Sequence, residues 1–212
     1  MRIGLYVLIT LFSMISNNDD YVINNKNSIE KISLKEEVNY KYDSEEEYIV
    51  INGIGEKKNS VGQYSLNLLN TELNKLPRNV TDKFVKSGWH IYVTDENLSE
   101  KYFANKYNKV QGLTNYDKKT ILIANNQRYI KESTIHEVGH FIDYYYGYIS
   151  YEDDWIKIYN EEKDSFKKNI TNSSCVRNSR EFFAETVYYI YIDPSKCTPK
   201  AKKYINKLIK NM

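Results

Sequence analysis

The sequence has few of the prolines and glycines that form linkers between domains, and little net charge that would attract a charged partner. It contains three prolines and eight glycines in 212 residues, and no Pro/Gly-rich linker or internal repeat separates one part from another. This length predicts one domain with a sizeable core. The formal net charge is only +2. Electrostatics therefore gives no reason to expect nucleic acid or an acidic membrane as a partner.

Long hydrophobic runs are also scarce. One uncharged run, residues 3–15, follows Met1 and Arg2 and ends in a polar stretch at residues 16–20. This layout is typical of a secretory signal peptide. A membrane span needs about 20 residues, and this run is shorter. We predict a signal peptide over residues 1–16; the alternative is a buried N-terminal strand or helix. No second run follows, so we expect a secreted protein without membrane contact after signal removal.

Cysteine is nearly absent, with only Cys175 and Cys197 in the chain. A bridge between them would persist in an oxidising compartment. However, a predicted helix of about four turns separates them by roughly 20 Å, whereas bridged cysteines have Cα atoms within about 7 Å of each other. A disulfide requires both flanking loops to fold back, and the sequence leaves bridged and free cysteines equally open.

Apolar spacing and breaker residues divide the chain into elements. Helices are predicted over residues 63–76, 80–85, 98–107, 133–146, 151–168, 179–192 and 198–211, and strands over 48–51, 89–94 and 120–124. We therefore predict an α+β catalytic domain over residues 61–212, with a small sheet and a mainly helical C-terminal half. A polar N-terminal region, residues 17–60, is either separate or part of it. Strand 120–124 is expected at the sheet edge, where a substrate strand can pair.

Histidine is scarce as well, yet two of the three histidines lie four residues apart, His136 and His140. On a helix this spacing places both imidazoles on one face, where they fill two of the four positions around a tetrahedral zinc ion. Glu137 lies on the adjacent flank, where it can take a proton from metal-bound water. Gly139 lets another backbone approach this surface closely. The alternative is a pair of satisfied core histidines.

A catalytic zinc site needs a third protein ligand. His90 lies on a predicted strand and fits a packed or surface role better, and Asp143 would crowd one side of the ion. Glu181 stands on an otherwise apolar helix, where an unpaired carboxylate is costly, so we predict it as the third ligand. Glu185, one turn on, can accept a hydrogen bond from a ligand histidine. The alternative for Glu181 is a capping box with Asn178.

The two motifs together resemble those of a known family. Residues 133–144 read Ser-Thr-Ile-His-Glu-Val-Gly-His-Phe-Ile-Asp-Tyr, and residues 180–189 read Arg-Glu-Phe-Phe-Ala-Glu-Thr-Val-Tyr-Tyr. Both resemble the anthrax lethal factor-like metallopeptidases, over roughly residues 60–212. Chain length and the predicted signal peptide are similar to those of the secreted Pro-Pro endopeptidases of Gram-positive bacteria within that group.

The resemblance implies a zincin-like fold and one Zn²⁺ per chain. It implies His136, His140 and Glu181 as the zinc ligands, Glu137 as the general base and Glu185 in a structural or supporting role.

One position departs from the family. A tyrosine commonly lies seven residues before the third ligand and stabilises the oxyanion, whereas this chain has Ser174 there. The loss of one oxyanion donor typically costs about 10²–10³ in rate. No residue of this chain is assigned that role.

The expected function is that of a secreted zinc endopeptidase that hydrolyses peptide bonds of extracellular or surface proteins with metal-activated water. Its expected partner is a protein or peptide substrate, and the chain is expected to act as a monomer. One alternative is a toxin-type protease that acts on host proteins. Others are a catalytically weak, zinc-containing binding module, which Ser174 favours, and a metal-free interaction domain. Proline specificity rests on the resemblance alone.

Overall fold

The computed structural model describes residues 9–11, 49–50, 55–58, 61–170 and 176–212. The strands are β1 (Ile9–Leu11), β2 (Ile49–Val50), β3 (Gly55–Lys58), β4 (His90–Thr94), β5 (Gly112–Asn115) and β6 (Thr120–Ala124). The helices are α1 (Gln63–Leu73), α2 (Arg78–Lys86), α3 (Leu98–Phe103), α4 (Gln127–Tyr145), α5 (Asp153–Asn169), α6 (Ser179–Ile192) and α7 (Pro199–Lys210), with a 3₁₀ turn at Ile149–Tyr151. Every described element after β6 is helical, which confirms the α+β class and the helical C-terminal half.

The sheet is mixed, with the strand order β1-β5-β6-β4-β3-β2. Strands β3, β4 and β6 are parallel to one another, and β5 runs antiparallel to β6. The prediction that strand 120–124 forms the sheet edge is wrong. Both edges of β6 are paired, one with β4 and one with β5, so no substrate strand can join there.

The outer edge of β5 carries the short strand β1. The two strands pair antiparallel, with Thr10 opposite Thr114. Since β1 lies within residues 1–16, the segment predicted as a signal peptide covers this edge in the uncleaved chain. The signal peptide and the division at residue 60 stay predictions, and most of residues 1–60 lie outside the part that the structure describes.

The two faces of the sheet bury different clusters because side chains alternate along a strand. On β6, Ile121 and Ile123 face the main core and Leu122 faces the opposite side. The main core lies between the sheet and helices α1, α4 and α6, whereas a smaller cluster under α3 covers the other face. The sheet thereby fixes α4 along one face. No helix among the described residues combines the length and the hydrophobicity needed to cross a membrane.

Local signals explain where two helices differ from their predicted bounds. Helix α4 begins at Gln127, earlier than predicted, because the Asn126 side chain accepts hydrogen bonds from the backbone N–H groups of Arg128 and Tyr129 and so caps the first turn. Helix α3 ends at Phe103, not at residue 107. Ala104 there adopts a left-handed conformation with φ of 47°, which terminates a helix.

Helices α4 and α6 approach each other closely at Gly139. A Cβ atom placed on Gly139 would lie 2.8 Å from the Cα of Ala184 and 3.1 Å from its carbonyl oxygen. Real Cβ atoms do not approach backbone so closely, so the missing side chain permits this crossing, as the sequence predicts. The contact matters because α4 carries the two motif histidines and α6 carries Glu181.

Gly139→Ala should lower the free energy of unfolding by about 1–3 kcal/mol, the usual cost of overpacking a core. The clash is with backbone, which cannot rotate away, so the two helices must separate. Urea unfolding measures the change. Lys131→Ala, on the exposed face of the same helix, is the control and should stay within about 0.5 kcal/mol of the wild type. A Gly139→Ala protein as stable as the control would contradict the close crossing.

Candidate metal centre

Helices α4 and α6 bring three predicted ligands together. The nearest ligand atoms of His136, His140 and Glu181 all lie within 4.8 Å of one another, and all three residues are buried. His136 and His140 project from successive turns of α4, and their rings lie 4.9 Å apart. Glu181 enters from the first turn of α6. The structure thus assembles the set of two imidazoles and one carboxylate that the sequence predicts.

The spacing of these atoms fits a zinc ion. Two ligands of a tetrahedral zinc, with bonds of about 2.0–2.1 Å, lie roughly 3.3–3.4 Å apart. The Nε2 atom of His136 lies 3.5 Å from Glu181 Oε2, and the Nε2 atom of His140 lies 3.8 Å from Glu181 Oε1. Neither ring nitrogen of the buried His140 has a hydrogen-bond partner among the described residues. Such an imidazole is costly unless a ligand satisfies it, so the residues present fit a bound metal.

Glu185 orients the first histidine. Its Oε2 atom lies 2.9 Å from Nδ1 of His136, so Nδ1 donates this hydrogen bond and Nε2 points toward Glu181 and the metal position. Burial lowers the pKa of His136, but the hydrogen bonds and charges of Glu181 and Glu185 outweigh it and raise the pKa to about 10. Metal binding at neutral pH therefore displaces a proton from this imidazole.

Burial acts in the opposite direction on the second histidine. It lowers the pKa of His140 well below the usual value, and the neighbouring charge of His136 lowers it further. The neutral form, which a metal ligand requires, is therefore the stable one at neutral pH.

Glu181 serves two roles with different atoms. Its backbone N–H donates to the side chain of Asn178, 2.9 Å away, which caps α6. Its carboxylate faces the two histidines and also lies 3.7 Å from Nη2 of Arg177. The cap therefore uses the backbone of Glu181, and the side chain stays available as a ligand.

Glu137 lies beside the triad, on the α4 flank that faces β5. Its carboxylate is fully buried, and the Thr114 hydroxyl donates a 2.5 Å hydrogen bond to its Oε2 atom. Its Oε1 atom has no hydrogen-bond partner among the described residues. Burial raises the pKa of Glu137 to about 7, although the charge of His136 and the hydrogen bond from Thr114 oppose this shift. A carboxylate that exchanges its proton near neutral pH is suited to general acid–base work.

Two other residues weighed from the sequence lie outside the triad. His90 is half-exposed on β4, and its Nδ1 atom lies 2.8 Å from Glu56 Oε1. Asp143 accepts hydrogen bonds from the backbone N–H and the hydroxyl of Ser150, at 2.7 and 2.8 Å. Both side chains therefore have protein partners.

Two positions on which the sequence raises questions lie outside the described residues. They are Ser174, at the place of the family tyrosine, and Cys175, whose pairing with Cys197 the sequence leaves open.

Sequence reasoning missed a buried cation next to the third ligand. The guanidinium of Arg180 lies over the Tyr116 ring, 4.6 Å from its centroid, and 5.7 Å from that of Tyr148. Its Nε atom is 3.7 Å from Asp143 Oδ2. Arg180 thus joins the start of α6 to the end of α4. Arg180 lies in a polar stretch that begins at Arg177, so no local pattern singled it out, and none singled out Thr114.

Comparison with known proteins agrees with this geometry. The family described as "Anthrax toxin lethal factor, N- and C-terminal domain" matches residues 56–208, which is well over half of the chain and includes every residue of the triad. A search of curated proteins found no match. The lethal factor family consists of zinc metalloproteases, and the His136, His140 and Glu181 cluster is a possible site for that metal. This chain belongs to the anthrax toxin lethal factor family.

Proposed function

We propose that this protein is a secreted zinc endopeptidase that hydrolyses peptide bonds of extracellular or surface proteins. The observation that carries the proposal is the position of Glu137. It stands next to the His136, His140 and Glu181 triad, with one carboxylate oxygen held by Thr114 and the other without a partner among the described residues. A structural metal site needs no such carboxylate, because four protein ligands close it.

Each buried residue of the centre then has a chemical task. Zinc, when bound, supplies a Lewis acid and lowers the pKa of a coordinated water. Glu137 takes the proton of the attacking water on its Oε1 atom and passes it to the leaving amine. Glu185 keeps His136 in the tautomer that a ligand needs.

The substrate strand, in this proposal, joins the sheet at β5. The fold is then zincin-like, with β5 as the antiparallel strand beside the metal centre. Its Thr114 contacts Glu137, so a peptide paired with the outer edge of β5 runs past the general base. That edge is paired with β1 in the uncleaved chain, and removal of residues 1–16 would free it. This placement replaces the docking edge that the sequence predicted at β6.

Secretion is tested by the N-terminus of the exported protein. When the full chain is expressed in a secreting bacterial host, the protein in the medium should begin close to residue 17. A protein that stays in the cells with residues 1–16 intact would contradict this part of the proposal.

The proposed activity is tested with a peptide library. Purified protein should cleave a subset of the peptides. A metal chelator should stop cleavage, and added zinc should restore it. A library with Pro-Pro pairs in half of its members also tests the proline specificity that the resemblance implies. Cleavage that persists in the chelator would contradict a zinc enzyme.

A zinc-containing binding module is the competing candidate. Ser174 favours it, because an oxyanion donor of the family is missing at this position. The same library separates the two. Stoichiometric zinc with no cleaved peptide indicates the binding module, whereas zinc-dependent cleavage indicates the enzyme.

A further inference from the structure

Strand β5 presents an unusual pair of residues to α4. Gly112 and Thr114 are two residues apart and so lie on the same face of the strand. A Cβ atom on Gly112 would lie 2.8 Å from Oε1 of Glu137, and the Thr114 hydroxyl lies 2.5 Å from Oε2. The strand therefore lies against both oxygens of the same carboxylate. Gly112, which has no side chain, lies beside Oε1, and Thr114 donates a hydrogen bond to Oε2.

The contact is rigid on both sides. Thr114 and Glu137 are both fully buried, and Thr114 is held in the ladder opposite Ile121 of β6. Its hydroxyl also lies 3.5 Å from the backbone carbonyl of Glu137. A β-branched side chain in a strand has few accessible rotamers. The direction of the hydroxyl is thus fixed by the strand.

We propose that Thr114 is a positioning residue for the general base, an inference that rests on the proposed function. Its hydroxyl holds Oε2 of Glu137 and leaves Oε1 to accept the proton of the attacking water. The absence of a side chain at Gly112 lets the Glu137 carboxylate lie directly against the strand. Without the hydroxyl, the carboxylate loses its fixed rotamer. A misplaced catalytic group lowers the rate of the chemical step even when substrate binding is intact.

The test compares two substitutions at one position. Thr114→Val keeps the shape and removes the hydroxyl, and it should lower kcat by about 10- to 100-fold with KM within about twofold. Thr114→Ser keeps the hydroxyl and should retain kcat within about threefold of the wild type. Thr94→Val is the matched control, since Thr94 is a buried threonine at the end of β4, on the far side of β6, whose hydroxyl accepts from the backbone of Glu96. It should leave kcat unchanged.

Two kinetic results would overturn the proposal. One is a Thr114→Val enzyme with the kcat of the wild type. The other is an equal loss in the Thr114→Ser and Thr114→Val enzymes, because Thr114→Ser keeps the hydroxyl and its loss could not come from a missing hydrogen bond.

A second readout needs no activity. In the metal-free protein, Thr114→Val should lower Tm by about 2–8 °C, because it leaves a buried carboxylate oxygen without its donor. In the Glu137→Ala background the same substitution should change Tm much less, since the acceptor is gone. Equal changes in both backgrounds would overturn the proposal.

The two readouts also separate this inference from the proposed function. If the wild type cleaves no peptide, the proposed function fails, and the Tm comparison alone decides whether Thr114 holds Glu137. If the wild type is active but Thr114→Val is fully active too, the proposed function stands and the role of Thr114 does not.

Discussion

Replacing Glu137 by alanine should reduce peptide hydrolysis by about 10²- to 10⁴-fold, the usual contribution of a positioned acid or base, and should leave zinc bound. The reason is the division of roles at the centre. Glu137 is not part of the ligand cluster, and its carboxylate contacts Thr114 of β5. The measurements are the steady-state rate on a cleaved peptide and the zinc content by mass spectrometry.

The stability of this variant gives an internal check. A buried carboxylate whose pKa is raised by burial destabilises the folded protein at neutral pH, so Glu137→Ala should unfold at the same urea concentration as the wild type or a higher one. Glu132→Ala is the control, because Glu132 lies on the same helix and pairs with Arg128. A Glu137→Ala protein that loses its zinc would show that Glu137 is a ligand, and one with the wild-type rate would remove it from the mechanism.

Replacing Glu181 by alanine should have the largest effect on metal binding. The loss of supporting groups around a ligand already costs about 10- to 100-fold in metal affinity, so removal of a ligand should cost more than about 100-fold. The fold should survive, because the cap at Asn178 uses the backbone N–H of Glu181 and not its side chain. Competition with a fluorescent zinc chelator measures the affinity, and circular dichroism measures the fold.

A control variant tests the alternative explanation that Glu181→Ala loses zinc affinity only because folding requires a buried carboxylate. Glu162 is a buried carboxylate that accepts hydrogen bonds from the backbone N–H groups of Lys200 and Ala201 at the start of α7. Glu162→Ala should lower stability by about 0.5–2 kcal/mol, as for a lost helix cap, with unchanged zinc affinity. Equal losses of zinc affinity in the Glu181→Ala and Glu162→Ala proteins would contradict the ligand assignment.

The cluster of His136, His140 and Glu181 was predictable because its signals are local. The spacing of His136 and His140 needs only a helix to bring the two rings together. The cost of a carboxylate on an apolar helix then points to Glu181 and Glu185. The separation of the two motifs in the sequence did not affect these predictions, because the two residues of each pair are four positions apart on one helix. What the sequence did not contain was the relation between the two helices, which depends on the crossing at Gly139.

The sheet topology was the part that sequence reasoning did not reach. Strand β5 has the sequence Gly-Leu-Thr-Asn, which offers one large apolar residue and no alternation, so no strand was predicted there. Its formation depends on pairing with β6, a tertiary effect that overrides local propensity. Because β5 was missed, β6 was assigned to the edge, and the contact between Thr114 and Glu137 could not be foreseen.

The most direct test of the account is a zinc titration of the metal-free protein, with the initial rate of peptide cleavage as the readout. We expect no cleavage before zinc is added, a linear rise in rate up to one equivalent per chain, and a plateau after that. The expected break at one equivalent follows from the single cluster of His136, His140 and Glu181 found among the described residues. Cleavage by the metal-free protein, or one bound equivalent of zinc with no cleavage at any point, would contradict the account.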